Sequence, residues 1–178
     1  FIQHASDIGI DVGNATNGWE FEKEKVDEVL PHLTWVRFTV GGGTPEGYSK
    51  IMFKTKEHTD VFHRAIKNIK YAVALKKKLN LKVTLGIQMV LMPEFKDEII
   101  PFAKLAAELG VDYGVIKHCS DDEKGTLGVD YEKLIPVFDQ AESYSSDTYS
   151  FIVKRSKMQK YTRAYDCCYG TEFLAHIS

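Results

Sequence analysis

Four apolar, β-rich runs in this sequence each end at a cluster of small or polar residues, and a helix-like pattern follows. The runs span residues 7–12, 35–40, 81–91 and 112–117. The clusters are Thr16-Asn17-Gly18, Thr39 with Gly41-Gly42-Gly43-Thr44-Pro45, Gln88, and Lys117-His118-Cys119-Ser120. Strands that alternate with helices are typical of a parallel α/β sheet, whose ligands bind at the C-terminal ends of the strands. We therefore predict that the four clusters meet at one ligand-binding rim.

The helix-like segments have clear polar and apolar patterns. Residues 20–30, 60–78 and 97–109 are predicted helices, and the last of these ends at Gly110. A short helix over 131–141 and an edge strand over 150–154 are predicted next. Residues 46–59 have no regular pattern and are predicted to be irregular, as is the acidic, glycine-containing stretch 120–130. The number of strand–helix units indicates part of a barrel, because a complete eight-fold barrel takes about 250 residues.

Composition limits the classes of function. The 178 residues are 44% hydrophobic and contain no run of about 18 apolar residues, so we predict no membrane partner. The net charge of −2 argues against nucleic acid as a partner. Three cysteines, two of them adjacent, do not form a disulfide framework, and a reducing cytoplasm is predicted. Phe1 and the residues after it do not resemble a signal peptide, and we expect an internal piece of a longer chain.

The glycine-rich turn is the first candidate binding element. Glycines after a strand allow close approach of the backbone to a ligand, and their N–H groups can bind anions. Neither of the two phosphate-binding glycine motifs is present in the sequence. Ligand contact at Gly41 and a simple turn without a ligand are therefore equally supported. Thr39 could offer its hydroxyl to a ribose or carboxylate, although an isolated threonine favours a structural role. Asn17 and Gly18 form a strong turn dipeptide with or without a function.

Two further polar positions interrupt or end the later strands. A buried Gln88 needs a hydrogen-bond partner, which is a neighbouring strand or a ligand inside the barrel. Lys117 and His118 could provide a base or an anion site, with a solvated rim charge as the alternative, especially for His118. Adjacent Cys167 and Cys168 are poor joint ligands for one metal, and two small buried apolar side chains are the alternative.

The ordered set of strand-end motifs resembles the radical S-adenosylmethionine enzymes that carry a SPASM-type C-terminal extension. Residues 7–12 with Thr16-Asn17-Gly18 resemble the third barrel strand of that family, and residues 35–40 with Gly43-Thr44-Pro45-Glu46 resemble the fourth. Residues 81–91 and 112–117 resemble strands five and six, and Cys168-Tyr169-Gly170 is similar to the start of a SPASM module.

The resemblance implies a partial (β/α) barrel over residues 1–141, covering roughly strands three to six. Residues 142–178 would form a connector and the start of the SPASM-like module. It further implies a 4Fe-4S cluster that reductively cleaves S-adenosylmethionine to a 5′-deoxyadenosyl radical, and a substrate that is a peptide or protein. Asn17, Thr39, Gly41, Gln88 and Lys117 become candidate cofactor contacts, and Cys168, with Cys167, candidate ligands of an auxiliary cluster.

The CxxxCxxC cluster motif of that family is absent from this sequence. We expect it upstream of Phe1 in the parent protein, together with the glycine-rich motif of strand two. This chain alone is therefore expected to bind no cofactor and to be inactive. Two alternatives remain: an iron-free, barrel-derived protein that binds a small anion through the glycine turn and Lys117, and a phosphosugar-type barrel enzyme.

Overall fold

The computed structural model describes residues 1–119, 129–155 and Met158. Five parallel strands form one sheet in the order β1-β2-β3-β4-β5. The strands are β1 (Gly13–Thr16), β2 (Trp35–Thr39), β3 (Thr84–Leu91), β4 (Tyr113–His118) and β5 (Ser150–Val153). The helices are α1 (Ile2–Asp7), α2 (Lys23–Val29), α3 (Pro45–Phe53), α4 (Thr59–Leu79), α5 (Ile99–Leu109) and α6 (Ile135–Glu142). Short 3₁₀ segments cover Leu30–His32, Pro93–Glu98 and Tyr131–Leu134.

The strand predicted over residues 7–12 is wrong. The chain begins with α1, and its last turn closes through hydrogen bonds from Ile8 N to the carbonyl of His4 and from Gly9 N to that of Ser6. The alternating isoleucines that suggested a strand are exposed, Ile8 by 62% and Ile10 by 55%. Their spacing therefore does not mark a buried face, and the first strand lies further on, in β1.

Most of the other predicted elements are confirmed, with shifted ends. The strand over 35–40, the long helix over 60–78 and the edge strand over 150–154 match β2, α4 and β5. The third strand begins at Thr84, and the helix predicted from residue 97 begins at Ile99 after a 3₁₀ segment. The helix predicted over 20–30 starts later, at Lys23.

Helix α3 corrects the prediction that residues 46–59 are irregular. Thr44 caps this helix, because its side-chain oxygen accepts a hydrogen bond from Gly47 N at 3.0 Å. Pro45 occupies the first turn, where its missing N–H costs nothing, and Glu46 complements the helix dipole. These start signals are visible in the sequence, although Gly47 within the first turn weakens the helical pattern.

The strand register divides the sheet into two faces, because paired residues of parallel strands point to the same side. One row, formed by Phe38, Ile87, Gly114 and Phe151, faces the helices. Helix α5 packs here: the Ala106 methyl lies 2.9 Å from where a Cβ of Gly114 would be, and the rings of Phe102 and Phe151 are 6.0 Å apart.

The opposite face, which we call the inner face, carries the alternate residues of each strand. It is made by Trp35, Arg37, Thr39, Thr84, Gly86, Gln88, Val90, Tyr113, Val115, Lys117 and Ile152. A parallel sheet with helices on its other side agrees with the predicted fold class. In the parts of the chain described, no helix is both long and apolar enough to cross a membrane.

Candidate functional site

Thr39 and Gln88 lie side by side on the inner face. They are register partners on β2 and β3, so about 4.8 Å separates their strands. Val40 N donates to the Gln88 carbonyl at 2.8 Å, which locks this register at the end of β2. Gln88 is 6% exposed and Thr39 is half-buried. A hydroxyl and an amide are thus adjacent at the C-terminal end of β2, although β3 continues for three residues beyond Gln88.

Lys117 belongs to the same face. It pairs with Val90, two residues beyond Gln88, and its side chain is half-buried. His118 is different: it pairs with Leu91 on the helix-facing side and is only 7% exposed. The alternative interpretation of His118 as a solvated rim charge is therefore wrong, because strand alternation directs adjacent side chains to opposite faces.

Asn17 is exposed, and its side chain takes part in its own turn. Its Oδ1 accepts a hydrogen bond from Trp19 N at 3.0 Å. The hydroxyl of Thr16 accepts one from Gly18 N at 3.1 Å. These are the local side-chain bonds that favour Asn and Thr in turns.

Asn68 on α4 anchors that turn, and the sequence interpretation missed it. Its buried amide donates to the carbonyls of Gly18 and Trp19, at 2.9 and 3.0 Å. A signal was present, since Asn68 is a polar residue directly before buried Ile69 in an otherwise apolar helix stripe.

The glycine-rich turn does bind an anion, but the anion is a side chain of this protein. The Glu98 carboxylate accepts hydrogen bonds from Gly43 N at 2.8 Å and Thr44 N at 2.9 Å. The Thr44 hydroxyl donates to its other oxygen at 2.9 Å. A Cβ on Gly47 would lie 2.1 Å from the Glu98 carboxyl carbon, so only glycine admits this carboxylate. The turn is therefore tied to the segment before α5.

Gly41 itself is buried next to α3. A Cβ there would come within 3.0 Å of Ile51 and 3.2 Å of Met52. Gly43 is more constrained, because a Cβ would lie 2.1 Å from backbone atoms of Pro101 and Phe102. These glycines allow the loop to pack closely against two helices.

A cationic and aromatic group lies further down the inner face. The guanidinium of Arg37 stacks over the Trp35 ring, with its carbon 5.6 Å from the ring centroid. Burial raises the pKa of the Tyr113 hydroxyl, while the positive charge of Arg37 opposes that rise. Arg37 was not among the predicted site residues, although a cation inside an aromatic, β-branched strand is an unusual choice.

The described residues do not supply the ligands of an iron–sulfur cluster. Among residues 1–119 and 129–155, no group of three or more His, Cys, Asp or Glu is arranged to hold a metal ion. Cys119 is half-buried at the end of β4. The predicted ligands Cys167 and Cys168 lie outside the described residues.

Solved structures of one protein share this fold. The crystal structures of Streptococcus suis SuiB, and of SuiB bound to S-adenosylmethionine, each match with a TM-score of 0.61 and 16% identity. Each match covers 86% of this chain and 35% of SuiB. SuiB bound to the precursor peptide SuiA matches with a TM-score of 0.60 and 14% identity, over 85% of this chain and 34% of that one.

The chain spans about a third of the length of SuiB. No profile of a known protein family matches the sequence, and no curated protein matches it. At this identity the likeness is one of fold. It confirms the predicted fold class, an α/β fold of parallel strands that matches a partial (β/α) barrel of the radical S-adenosylmethionine type.

Proposed function

We propose that this chain is part of a radical S-adenosylmethionine enzyme that modifies a peptide or protein in the cytoplasm. Residues 1–141 would form the partial barrel, to which β5 adds a further parallel strand, and the rest of residues 142–178 would form the connector and the start of a SPASM-like module. The observation that carries the proposal is the Thr39–Gln88 pair, a hydroxyl beside a buried amide at the C-terminal end of β2, in a sheet with the fold of SuiB. Ligands of parallel α/β folds bind at this edge.

The polar residues of the rim would hold S-adenosylmethionine. Thr39 offers a hydroxyl to the ribose, and Gln88 can both donate and accept hydrogen bonds. Lys117 supplies a positive charge two positions further along the same face. Asn17 and the backbone at Gly41 would complete the contacts, Asn17 through its Nδ2 because Oδ1 is held by Trp19 N.

The bound cofactors, S-adenosylmethionine and a 4Fe-4S cluster, would supply a 5′-deoxyadenosyl radical, while the protein orients the reactants and excludes water. The described residues do not fit the cluster, so its main ligands must come from elsewhere in the parent protein. Cys168, with Cys167, would serve an auxiliary cluster. This chain alone would be inactive.

A peptide or protein substrate is supported by one neighbour. SuiB has been crystallised with the precursor peptide SuiA, and its fold matches most of this chain. The proposal extends that class of substrate to the protein from which this chain derives.

The test uses the whole parent protein, purified anaerobically and reconstituted with iron and sulfide. We expect cluster absorbance and release of 5′-deoxyadenosine from S-adenosylmethionine in the presence of a reductant. Thr39→Val should raise the S-adenosylmethionine concentration needed for half-maximal release, whereas Thr55→Val, an exchange at a half-buried position after α3, should not. Absence of both the cluster and 5′-deoxyadenosine would refute the proposal.

The iron-free alternatives have less support from the structure. They place an anion on the glycine turn, and the N–H groups of Gly43 and Thr44 already donate to Glu98. A second anion there would have to displace an internal carboxylate. The phosphosugar-type barrel enzyme predicts an anion at the rim and no sensitivity to oxygen, so its activity should be the same in parallel assays with and without oxygen.

A further inference from the structure

The arginines of the described ranges follow one pattern with one exception. Arg64 stacks on Trp19 and binds the carboxylate of Glu22. Arg155 lies over a phenylalanine ring and binds two carboxylates, those of Asp139 at 2.7 Å and Glu142 at 2.5 Å. Each of these two guanidinium groups therefore has an aromatic neighbour and an acidic partner.

Arg37 has the aromatic neighbour without the acidic partner. Its guanidinium stacks on Trp35, but none of the ion pairs within the described ranges includes it. Its Nε is buried, and residues 1–119 and 129–155 place no hydrogen-bond acceptor within reach of it. A buried donor without an acceptor is rare in folded proteins and needs an explanation, which a ligand that supplies the acceptor would provide.

Two glycines make room for aromatic walls around Arg37. The Trp35 ring lies against Gly13 on β1, where a Cβ would be 2.0 Å from it. The Tyr113 ring lies against Gly86 on β3, where a Cβ would be 2.1 Å away. Because β2 runs between β1 and β3, Arg37 lies on the strand between the two rings. Trp35 remains 38% exposed, so this part of the inner face is open to a ligand.

We propose that Arg37, Trp35 and Tyr113 form a binding site for a carboxylate. A planar guanidinium offers a pair of parallel N–H donors that match the two oxygens of a carboxylate, and the flat rings suit a planar group. The row that contains Arg37 consists otherwise of Ala15, Gly86, Tyr113 and Ser150. A phosphate dianion would favour a second cation beside Arg37, and that row contains none.

The site lies below the predicted cofactor contacts. Arg37 is two residues before Thr39 on the same face, so the two side chains are about 7 Å apart along the strand. A substrate with an acidic group at Arg37 could therefore extend toward the rim. This last point depends on the proposed function, whereas the carboxylate site itself depends only on the geometry of the inner face.

The experiment measures binding through the fluorescence of Trp35. The sequence contains two tryptophans, so Trp19→Phe in the purified whole protein removes the other one of this chain, and Trp35→Phe gives the background signal. The probes are two blocked tripeptides, Ala-Glu-Ala and Ala-Gln-Ala, together with glutarate and inorganic phosphate as competitors. We expect the glutamate peptide to bind and the glutamine peptide to bind at least about tenfold more weakly, because a charge-assisted bidentate bond is lost.

Variants in the same background locate the site. Arg37→Gln should weaken binding of the glutamate peptide by at least about tenfold, and Arg37→Lys, which keeps the charge but not the fork, by less. Arg64→Gln is the matched control and should leave binding unchanged, because Arg64 already binds Glu22. Circular dichroism and the unfolding midpoint establish that each variant is folded.

The proposal would be overturned if both peptides bound equally well, or if neither Arg37→Gln nor Arg37→Lys weakened binding of the glutamate peptide. Stronger competition by phosphate than by glutarate would also overturn it. If glutarate binds as tightly as the glutamate peptide, the site is assigned to free small carboxylates. If glutarate binds more weakly than the peptide, the site is assigned to an acidic side chain of a peptide. Peptide binding is measured without S-adenosylmethionine, and release of 5′-deoxyadenosine is measured separately on the protein without any substitution. A failure of this proposal is thereby distinguished from a failure of the proposed function.

Discussion

Removal of the Glu98 carboxylate should release the glycine-rich turn from the rest of the rim. Glu98 joins the loop after β2 to the segment before α5, and it does so through three hydrogen bonds of 2.8 to 2.9 Å. Two of the donors are backbone N–H groups, of Gly43 and Thr44, that have no other acceptor in the described contacts. Glu98→Ala removes all three bonds at once.

The size of the effect follows from these contacts. A hydrogen bond to a charged group contributes roughly 1.5–3 kcal/mol, but the three share one carboxylate and are not additive. Water can also reach the half-buried site and replace part of the loss. We therefore expect Glu98→Ala to lower the free energy of unfolding by about 3 kcal/mol, and Glu98→Gln, which keeps one acceptor oxygen, by about 1–2 kcal/mol.

Urea unfolding followed by circular dichroism measures these changes, with linear extrapolation to water. Glu108→Ala is the control, because Glu108 is an exposed glutamate on α5, the helix that directly follows Glu98. It should change the free energy of unfolding by no more than about 0.5 kcal/mol. A loss below about 0.5 kcal/mol in Glu98→Ala, equal to that of the control, would refute the assignment of Glu98 as the anion of the turn.

Three further predictions address the turn anchor, the packing of the glycine loop and alkaline stability. Asn68→Ala should lower the free energy of unfolding by about 2 kcal/mol, because one buried and one part-buried carbonyl lose their donor. Proteolysis near Trp19 should also become faster, and unchanged rates would contradict this. Gly43→Ala should destabilise far more than Gly42→Ala in urea unfolding, because the added Cβ lies 2.1 Å from backbone atoms in the first case and 3.0 Å from its nearest neighbours in the second; equal losses would contradict this. Burial raises the pKa of the Tyr149 hydroxyl above its ordinary value of 10.0, so the unfolded chain deprotonates first and the free energy of unfolding should fall as the pH rises above about 10. Tyr149→Phe should reduce that alkaline decline, measured by urea unfolding between pH 8 and 11, and an unchanged decline would assign it to other groups.

The strong periodic segments were predictable because their burial follows their pattern. The apolar stripe of α4 faces the core, and β3 carries the near-continuous apolar run that suits a covered strand. The prediction of a strand over residues 7–12 was wrong because burial does not follow the pattern there. Their isoleucines alternate but are exposed, and α1 is set by local hydrogen bonds that a period-two pattern does not reveal.

The arrangement of the rim was partly predictable. Alternation within a strand and a parallel register place Thr39, Gln88 and Lys117 on one face, and both can be inferred from the sequence. The partner of the glycine turn could not be inferred, because Glu98 is 54 residues from Thr44 and no local signal links them. The same holds for Asn68 and its turn, which only the packing of α4 brings together.

Release of 5′-deoxyadenosine by the whole reconstituted parent protein tests the central claim most directly. The protein should release 5′-deoxyadenosine from S-adenosylmethionine only when iron, sulfide and a reductant are supplied and oxygen is excluded. Thr39→Val should require more S-adenosylmethionine for the same rate, because the hydroxyl beside Gln88 is removed from the rim. A protein that assembles no cluster and releases no 5′-deoxyadenosine under these conditions would contradict the assignment of this rim to S-adenosylmethionine.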